Sequence, residues 1–193
     1  MNKLVLFCVS LIPALPLHAQ SGGDFNWFMA LLNQKGGVSV SVEKPMPMET
    51  GDILNFYIKS EAGCYFYLAA QTSDNEVVII HAGPLKTGEE LQAGPVQLTN
   101  PGGTETFFFV MTMVRQRKLE RAINAYTKKP GSIRAGRAVL NEIFALRREL
   151  SRLDEKPEQP VYLGGAFRTV DSAVEGMMFS GAGIYVKTLN ISH

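Results

Sequence analysis

The chain has 193 residues, of which 19 are basic and 18 acidic, so its formal net charge is +1. A chain without a strong positive charge is a poor ligand for nucleic acid, and we expect no nucleic-acid partner. Hydrophobic residues make up 46% of the sequence, which suffices for a packed core at this length. These values predict a globular protein of one or two domains.

The first 19 residues have the pattern of an export signal. Lys3 is followed by an apolar run from Leu4 to Leu15, and Ala19 ends the short segment after it, as at a signal-peptidase site. The apolar run is too short to cross a bilayer as a helix. We therefore predict a signal peptide at residues 1–19, no transmembrane segment, and a periplasmic or secreted protein.

Residues that carry chemistry are sparse after the predicted cleavage point. Cys64 is the single remaining cysteine, so no intramolecular disulfide can form. His81 and His193 are the remaining histidines, and neither belongs to a recognisable Ser-His-Asp or Cys-His pattern. The sequence has neither a Cys/His cluster nor an Asp-rich calcium loop. We therefore predict a protein that is not an enzyme and that has no cofactor and no metal site.

Residues 20–37 are predicted to hold a short N-terminal helix and a linker. Asp24 can cap a helix from Phe25 to Asn33, which Gly36 would end. The apolar side chains of this segment recur at helical spacing: Phe25, Phe28, Leu31 and Leu32.

Residues 38–193 are predicted to form one β-sandwich domain. Val38 to Val42 alternates apolar and polar residues, which indicates a strand with one buried face. Cys64 to Gln71 is apolar on both faces, as in a central strand, and the stretch between His81 and Val96 is predicted as a loop. The other predicted strands are Asp52 to Ser60, Glu76 to His81, Val96 to Thr99, Thr104 to Val114, Val161 to Leu163, Phe167 to Val170, Met177 to Phe179 and Ile184 to Ile191.

A helical hairpin interrupts these strands at about residues 115–153. After Val114 the apolar period changes from two to about 3.6 residues. Arg115 to Lys128 predicts one helix, Pro130 breaks it, and a second helix is predicted from Ile133 or Arg134 to Leu153. The predicted fold is therefore mainly β: an antiparallel β-sandwich with an inserted two-helix hairpin and a short N-terminal helix.

The turns between the strands follow a set of short motifs. They are Gly51-Asp52-x-Leu54-x-Phe56, Gly63-x-Tyr65-x-Tyr67-Leu68, Ser73-Asp74-Asn75 before Val77-Val78, His81-Ala82-Gly83-Pro84, Leu91 with Gly94, and Pro101-Gly102-Gly103-Thr104-Glu105. Over about residues 38–114 this pattern resembles a bacterial domain of unknown function, family 4384. The resemblance implies a compact exported β-sandwich module without an assigned activity. The helical hairpin departs from the family pattern, so we expect it to carry what is particular to this chain.

Basic residues are concentrated in the hairpin, where eight bases and one acid, Glu120, lie between Arg115 and Arg137. Such a charge run is usually a solvated face, but it can dock onto an acidic protein, onto anionic envelope components, or onto the chain's own more acidic sandwich. The leading hypothesis is a non-enzymatic envelope module that binds another envelope protein or self-associates. The residues predicted for binding are Arg117, Arg121, Arg134 and Arg137 through charge, and Leu146, Leu150 and Leu153 through apolar contact.

The alternative hypothesis is a module that binds carbohydrate or a cell-wall polymer. Such a site would use aromatic side chains on an exposed sheet face, because the apolar face of a sugar ring packs on an aromatic ring. The residues predicted for that face are Tyr65, Tyr67 and Tyr162.

Overall fold

The computed structural model describes residues 24–35, 38–40, 48–152, 161–164 and 175–193. In these ranges the chain forms ten strands and two helices. They are β1 (Asp24–Asn33), β2 (Val38–Val40), β3 (Ile53–Ser60), β4 (Cys64–Gln71), β5 (Val77–Leu85), β6 (Glu90–Gln97), β7 (Thr104–Thr112), α1 (Arg117–Thr127), α2 (Ile133–Arg152), β8 (Val161–Gly164), β9 (Glu175–Ala182) and β10 (Ile184–Ser192). The predicted signal peptide and the strand predicted at 167–170 lie outside the described residues.

The strands pair antiparallel in two sheets. The six-stranded sheet has the order β6-β3-β1-β9-β8, with β2 paired to β1, and the four-stranded sheet has the order β10-β7-β4-β5. The two helices follow β7 and precede β8. The structure thus confirms a mainly β fold with two antiparallel sheets and two inserted helices.

The two sheets share one apolar core. The ring of Phe56 on β3 lies 5.1 Å from the ring of Phe107 and 5.6 Å from that of Phe109, both on β7. The ring of Trp27 on β1 lies 5.1 Å from that of Tyr185 on β10. These contacts join the inner faces of the sheets, and burial of such large rings is a main source of folding free energy.

The predicted N-terminal helix is not formed, because Asp24–Asn33 is strand β1. This strand lies inside the six-stranded sheet, with β3 on one side and β9 on the other. Trp27 and Leu31 belong to the core between the sheets, while Ala30 and Leu32 are buried in a separate cluster. A strand that is apolar on both faces gives a continuous apolar run, which periodicity cannot distinguish from a buried helix.

The stretch between His81 and Val96 is also different from its prediction as a loop. β5 continues to Leu85, and β6 begins at Glu90 and pairs with β3 at the edge of the six-stranded sheet. Most side chains of this edge strand are exposed or half-buried, so it lacks the apolar alternation by which strands are predicted. Pro95 is tolerated in β6 because an edge strand does not need every backbone N–H for pairing.

The helices form a further layer on the outer face of the four-stranded sheet. Because successive side chains of a strand point to opposite faces, Phe107 and Phe109 of β7 face the core between the sheets and Phe108 and Val110 face the helices. Among the described residues, no helix combines the length and the apolar character needed to cross a membrane.

Candidate docking surface on the helical hairpin

The hairpin is attached to the four-stranded sheet by apolar contact. Leu119, Ile123 and Tyr126 are the buried residues of α1. Together with α2 they cover apolar side chains of β4, β5 and β7, which become inaccessible to water. The buried members of this cluster are Tyr67, Ala69, Val77, Phe108, Val110, Leu119, Ile123, Tyr126, Val139, Leu140, Ile143 and Leu146. Because these twelve side chains are buried together, the hairpin is a rigid part of the domain.

The loop end of the hairpin lies close to β5. The hydroxyl of Tyr126 donates a hydrogen bond to the carbonyl oxygen of Val77. Gly136 of α2 packs on the same residue, since a Cβ placed on this glycine would lie 3.0 Å from Cγ2 of Val77. Val77 is therefore in contact with both helices, and the absence of a side chain at Gly136 permits the close approach of α2.

The other end of α1 is joined to β4 by a polar network. Glu120 accepts a hydrogen bond from the Tyr67 hydroxyl through Oε1 and from Nε of Arg115 through Oε2, at 3.0 and 2.7 Å. The Tyr67 hydroxyl also accepts a hydrogen bond from the backbone N–H of Gln116 at 3.2 Å. Burial raises the pKa of Tyr67 to about 12, so its hydroxyl remains a donor throughout the neutral range.

The four arginines of the docking prediction are exposed. Arg117 and Arg121 are four residues apart, on the side of α1 opposite to Leu119, and Arg134 and Arg137 lie near the start of α2. None of the four forms an ion pair with a described residue. We call this set, Arg117, Arg121, Arg134 and Arg137, the arginine surface.

The distribution of charge on the hairpin shows which force attaches it to the sheet. From residue 115 to residue 152 the sequence has eleven bases and three acids. The side of the hairpin that meets the sheet is apolar, and no member of the arginine surface pairs with a described acid of either sheet. Hydrophobic contact, rather than attraction between a basic hairpin and an acidic sandwich, therefore holds these helices in place.

The leucines of the docking prediction do not form an exposed apolar patch in the described part of α2. Leu146 is 8% exposed and packs in the cluster beneath the helices, so it is a contact of the hairpin with its own sheet. The side chain of Leu150 and the whole of Leu153 lie outside the described residues. Ile133, at the first position of α2, is 71% exposed and is not among the predicted contact residues.

The three tyrosines of the carbohydrate prediction do not share one exposed sheet face. Tyr67 is 1% exposed because α1 covers it. Tyr162 lies on β8 of the six-stranded sheet, whereas Tyr65 and Tyr67 lie on β4 of the four-stranded sheet. Tyr65 is half-buried and lines a cleft at the base of α1. Of the two predicted tyrosines whose side chains the structure describes, Tyr65 lines open space and Tyr67 does not.

The structure brings together three polar residues that no motif in the sequence connects. Oγ1 of Thr50 lies 3.0 Å from Nδ1 of His193, and Nε2 of His193 lies 3.5 Å from Oε1 of Glu105. A hydroxyl, an imidazole and a carboxylate in this order have the composition of a catalytic triad. However, the side chains of His193 and Glu105 are 0% and 3% exposed, which leaves a substrate no access to the imidazole.

His193 and Glu105 instead lie where the end of β10 meets the start of β7, and Thr50 contacts His193 from the segment before β3. Gly103 and His193 exchange two backbone hydrogen bonds, and Thr104 bonds Ser192 through their hydroxyls at 3.0 Å. Burial raises the pKa of the Glu105 carboxyl, and the neighbouring His193 opposes this shift. Within the described residues, no group of three or more His, Cys, Asp and Glu side chains could hold a metal ion.

No family model matches the chain, and no curated protein and no solved structure matches it. The resemblance of residues 38–114 to family 4384 therefore stays a hypothesis that depends on the turn motifs. The function has to be inferred from the chain's own side chains, among which the arginine surface is the most distinctive feature.

Proposed function

We propose that this protein is an exported, non-enzymatic β-sandwich module that docks onto an acidic protein of the cell envelope through its arginine surface. The observation that carries the proposal is a set of four exposed arginines without ion pairs to described residues. They stand on helices that apolar packing holds rigid. A rigid scaffold lowers the entropy that binding must overcome.

The positions of these arginines favour a partner over a merely solvated face. Arg117 and Arg121 are like charges four residues apart, which costs about 0.2–0.5 kcal/mol of helix stability. Arg134 is the second residue of α2, where the helix dipole disfavours a cation by about 0.3–1 kcal/mol, and Arg137 follows just after the first turn. Carboxylates of a partner would relieve both costs, and the arginine guanidinium is well suited to binding them in pairs.

Export is proposed from the signal-like residues 1–19 and from the resemblance to an exported family. We expect the mature protein to begin at Gln20. Fractionation of the cells followed by N-terminal sequencing tests this part. A cytoplasmic protein that retains Met1 would contradict it without affecting the docking surface.

The docking proposal is tested by photo-cross-linking in intact cells. A cross-linking amino acid replaces Arg121 in one variant and Lys86 in another, since Lys86 is an exposed base on the loop between β5 and β6. We expect an acidic protein to be captured from position 121, and we expect Arg134→Glu in the same chain to reduce the yield. Capture from position 86 alone, or a yield unaffected by Arg134→Glu, would contradict the proposal.

Anionic envelope components are the main competitor for the arginine surface. Sedimentation with vesicles of phosphatidylethanolamine and phosphatidylglycerol, against vesicles of phosphatidylcholine, measures this affinity. Binding to the anionic vesicles that Arg121→Glu abolishes, without capture of a protein in cells, would assign the surface to lipid headgroups.

Self-association is the second competitor, and one observation favours it. A cleft of about 480 Å³ between β5 and β6 is lined by the exposed acids Asp74 and Glu76 and by no base, so a second copy would offer acids to the arginine surface. Size-exclusion chromatography at low and high salt tests this. A dimer that dissociates at high salt and is lost in Arg121→Glu would make the acidic partner a second copy of this chain.

A further inference from the structure

A cleft of about 380 Å³ lies at the base of α1, between this helix and the end of β5. Its volume falls within the range of about 300–1,000 Å³ that small-molecule sites occupy. Tyr65 and Pro84 provide apolar surface, and Arg115, Glu120 and Asn124 provide polar groups. None of the four residues of the arginine surface lines this cleft.

Two of the polar groups of the cleft, Arg115 and Glu120, are held in place before any ligand binds. Glu120 is held by Arg115 through one carboxylate oxygen and by the buried hydroxyl of Tyr67 through the other. The backbone N–H of Gln116 donates to the same hydroxyl. A buried tyrosine thus orients the acid, and the acid orients the arginine, so that little side-chain entropy is lost when a ligand binds.

Hydrogen-bonding capacity remains for a ligand. Arg115 uses Nε to hold Glu120, and its terminal nitrogens have no hydrogen bond to a described residue. The side-chain amide of Asn124 likewise has no hydrogen bond to a described residue, and an amide offers both donors and an acceptor. Donors and acceptors therefore stand side by side around the half-buried ring of Tyr65.

Charge and shape together select the class of ligand. The lining contains one cation, Arg115, and one anion, Glu120, which pair with each other, so it has no net charge that would attract an anionic or a cationic ligand. Hydroxyl groups can both donate and accept, which suits a paired arginine and glutamate. An aromatic ring such as Tyr65 accepts the apolar face of a sugar ring.

We propose that this cleft is a binding site for an uncharged saccharide, which packs on Tyr65 and hydrogen-bonds Arg115, Glu120 and Asn124. The site does not depend on the docking function. Of the predicted tyrosine face, Tyr65 belongs to this site. Tyr67 does not touch the ligand, and its buried hydroxyl orients Glu120.

Titration by two-dimensional amide NMR tests the proposal on the chain without its predicted signal peptide. The probes are cellotriose, maltotriose and the trimer of N-acetylglucosamine. We expect at least one of them to shift the amide signals of Tyr65, Ala82, Gly83 and Asn124. Tyr65→Ala should weaken binding about tenfold, whereas Tyr65→Phe should preserve it.

Two matched substitutions separate the cleft from the rest of the hairpin. Asn124→Ala removes a cleft amide and should weaken binding, while Asn141→Ala makes the same change at an exposed position of α2 and should not. Because Asn124 is itself exposed, this test remains valid even if Tyr65→Ala fails to fold. Shifts confined to other residues, equal effects of the two asparagine variants, or no response to any of the three trisaccharides would overturn the proposal.

Discussion

The hydroxyl of Tyr67 on β4 donates a hydrogen bond to Oε1 of Glu120 on α1 at 3.0 Å. It is a direct polar connection between the four-stranded sheet and the helical hairpin. Tyr67→Phe removes this bond and the acceptor of the Gln116 N–H, and we expect it to lower the free energy of unfolding by about 1.5–3 kcal/mol. Urea unfolding measures the change. Tyr65→Phe is the control, and an equal loss in both variants would show that the Tyr67 hydroxyl has no special role.

Close packing at Gly136 is testable by a single added methyl group. Gly136→Ala places Cβ 3.0 Å from Cγ2 of Val77, and overpacking of this kind costs about 1–3 kcal/mol, of which the higher helix propensity of alanine offsets about 1 kcal/mol. The double variant Val77→Ala/Gly136→Ala should lose less stability than the two single variants together, because the neighbour of the new methyl group is gone. Strictly additive losses in thermal or urea unfolding would contradict the contact.

The attachment of the hairpin by apolar burial predicts a contrast between two isoleucines. Ile123 is 6% exposed in the cluster beneath the helices, whereas Ile133 is 71% exposed. Ile123→Ala should cost about 2–5 kcal/mol, and Ile133→Ala should change stability by less than about 0.5 kcal/mol. Urea unfolding of the two variants decides the point. Similar losses would mean that the hairpin is not held through this cluster.

Buried Glu105 predicts a specific pH dependence. Burial raises the pKa of Glu105 in the folded chain. As pH rises above about 4.3, the ordinary pKa of a glutamate, the unfolded chain loses this proton first, while the folded chain still holds it. Stability from this group is therefore present at low pH and is lost as pH rises through the folded pKa.

Glu105→Gln removes this titration. The free energy of unfolding of this variant minus that of the unsubstituted protein should increase with pH. Urea unfolding of both proteins between pH 4 and 7 measures this difference. Glu76→Gln, at an exposed glutamate, should show a flat difference. A flat difference for Glu105→Gln would contradict the raised pKa.

The sequence predicted the elements whose apolar period is unambiguous. Cys64–Gln71 is a strand with the predicted bounds, and the two helices lie within one or two residues of theirs. Asp24–Asn33 has the apolar spacing that predicts a helix, yet it is a strand. It is buried on both faces because it lies between β3 and β9. Local patterns carry no information on such long-range pairing.

The candidate sites were predictable in part. The exposed arginines follow from the charge run and the helical period, but the burial of Tyr67 depends on where the hairpin folds back. One signal was present: β4 is apolar on both faces, so its outer face needed a cover. Tertiary folding brings together Thr50, Glu105 and His193, and it also forms the cleft at Tyr65. The spacing of residues along the chain predicts neither of these.

The central claim is that the arginine surface binds an acidic protein through charge. Once the cross-linked partner is identified, its dissociation constant is measured with the unsubstituted protein, with Arg121→Glu and with Lys86→Glu, at low and at physiological salt. We predict about a tenfold weaker complex for Arg121→Glu at low salt, a smaller difference at higher salt, and no change for Lys86→Glu. Equal affinities of the two reversed variants at both salt concentrations would contradict the claim.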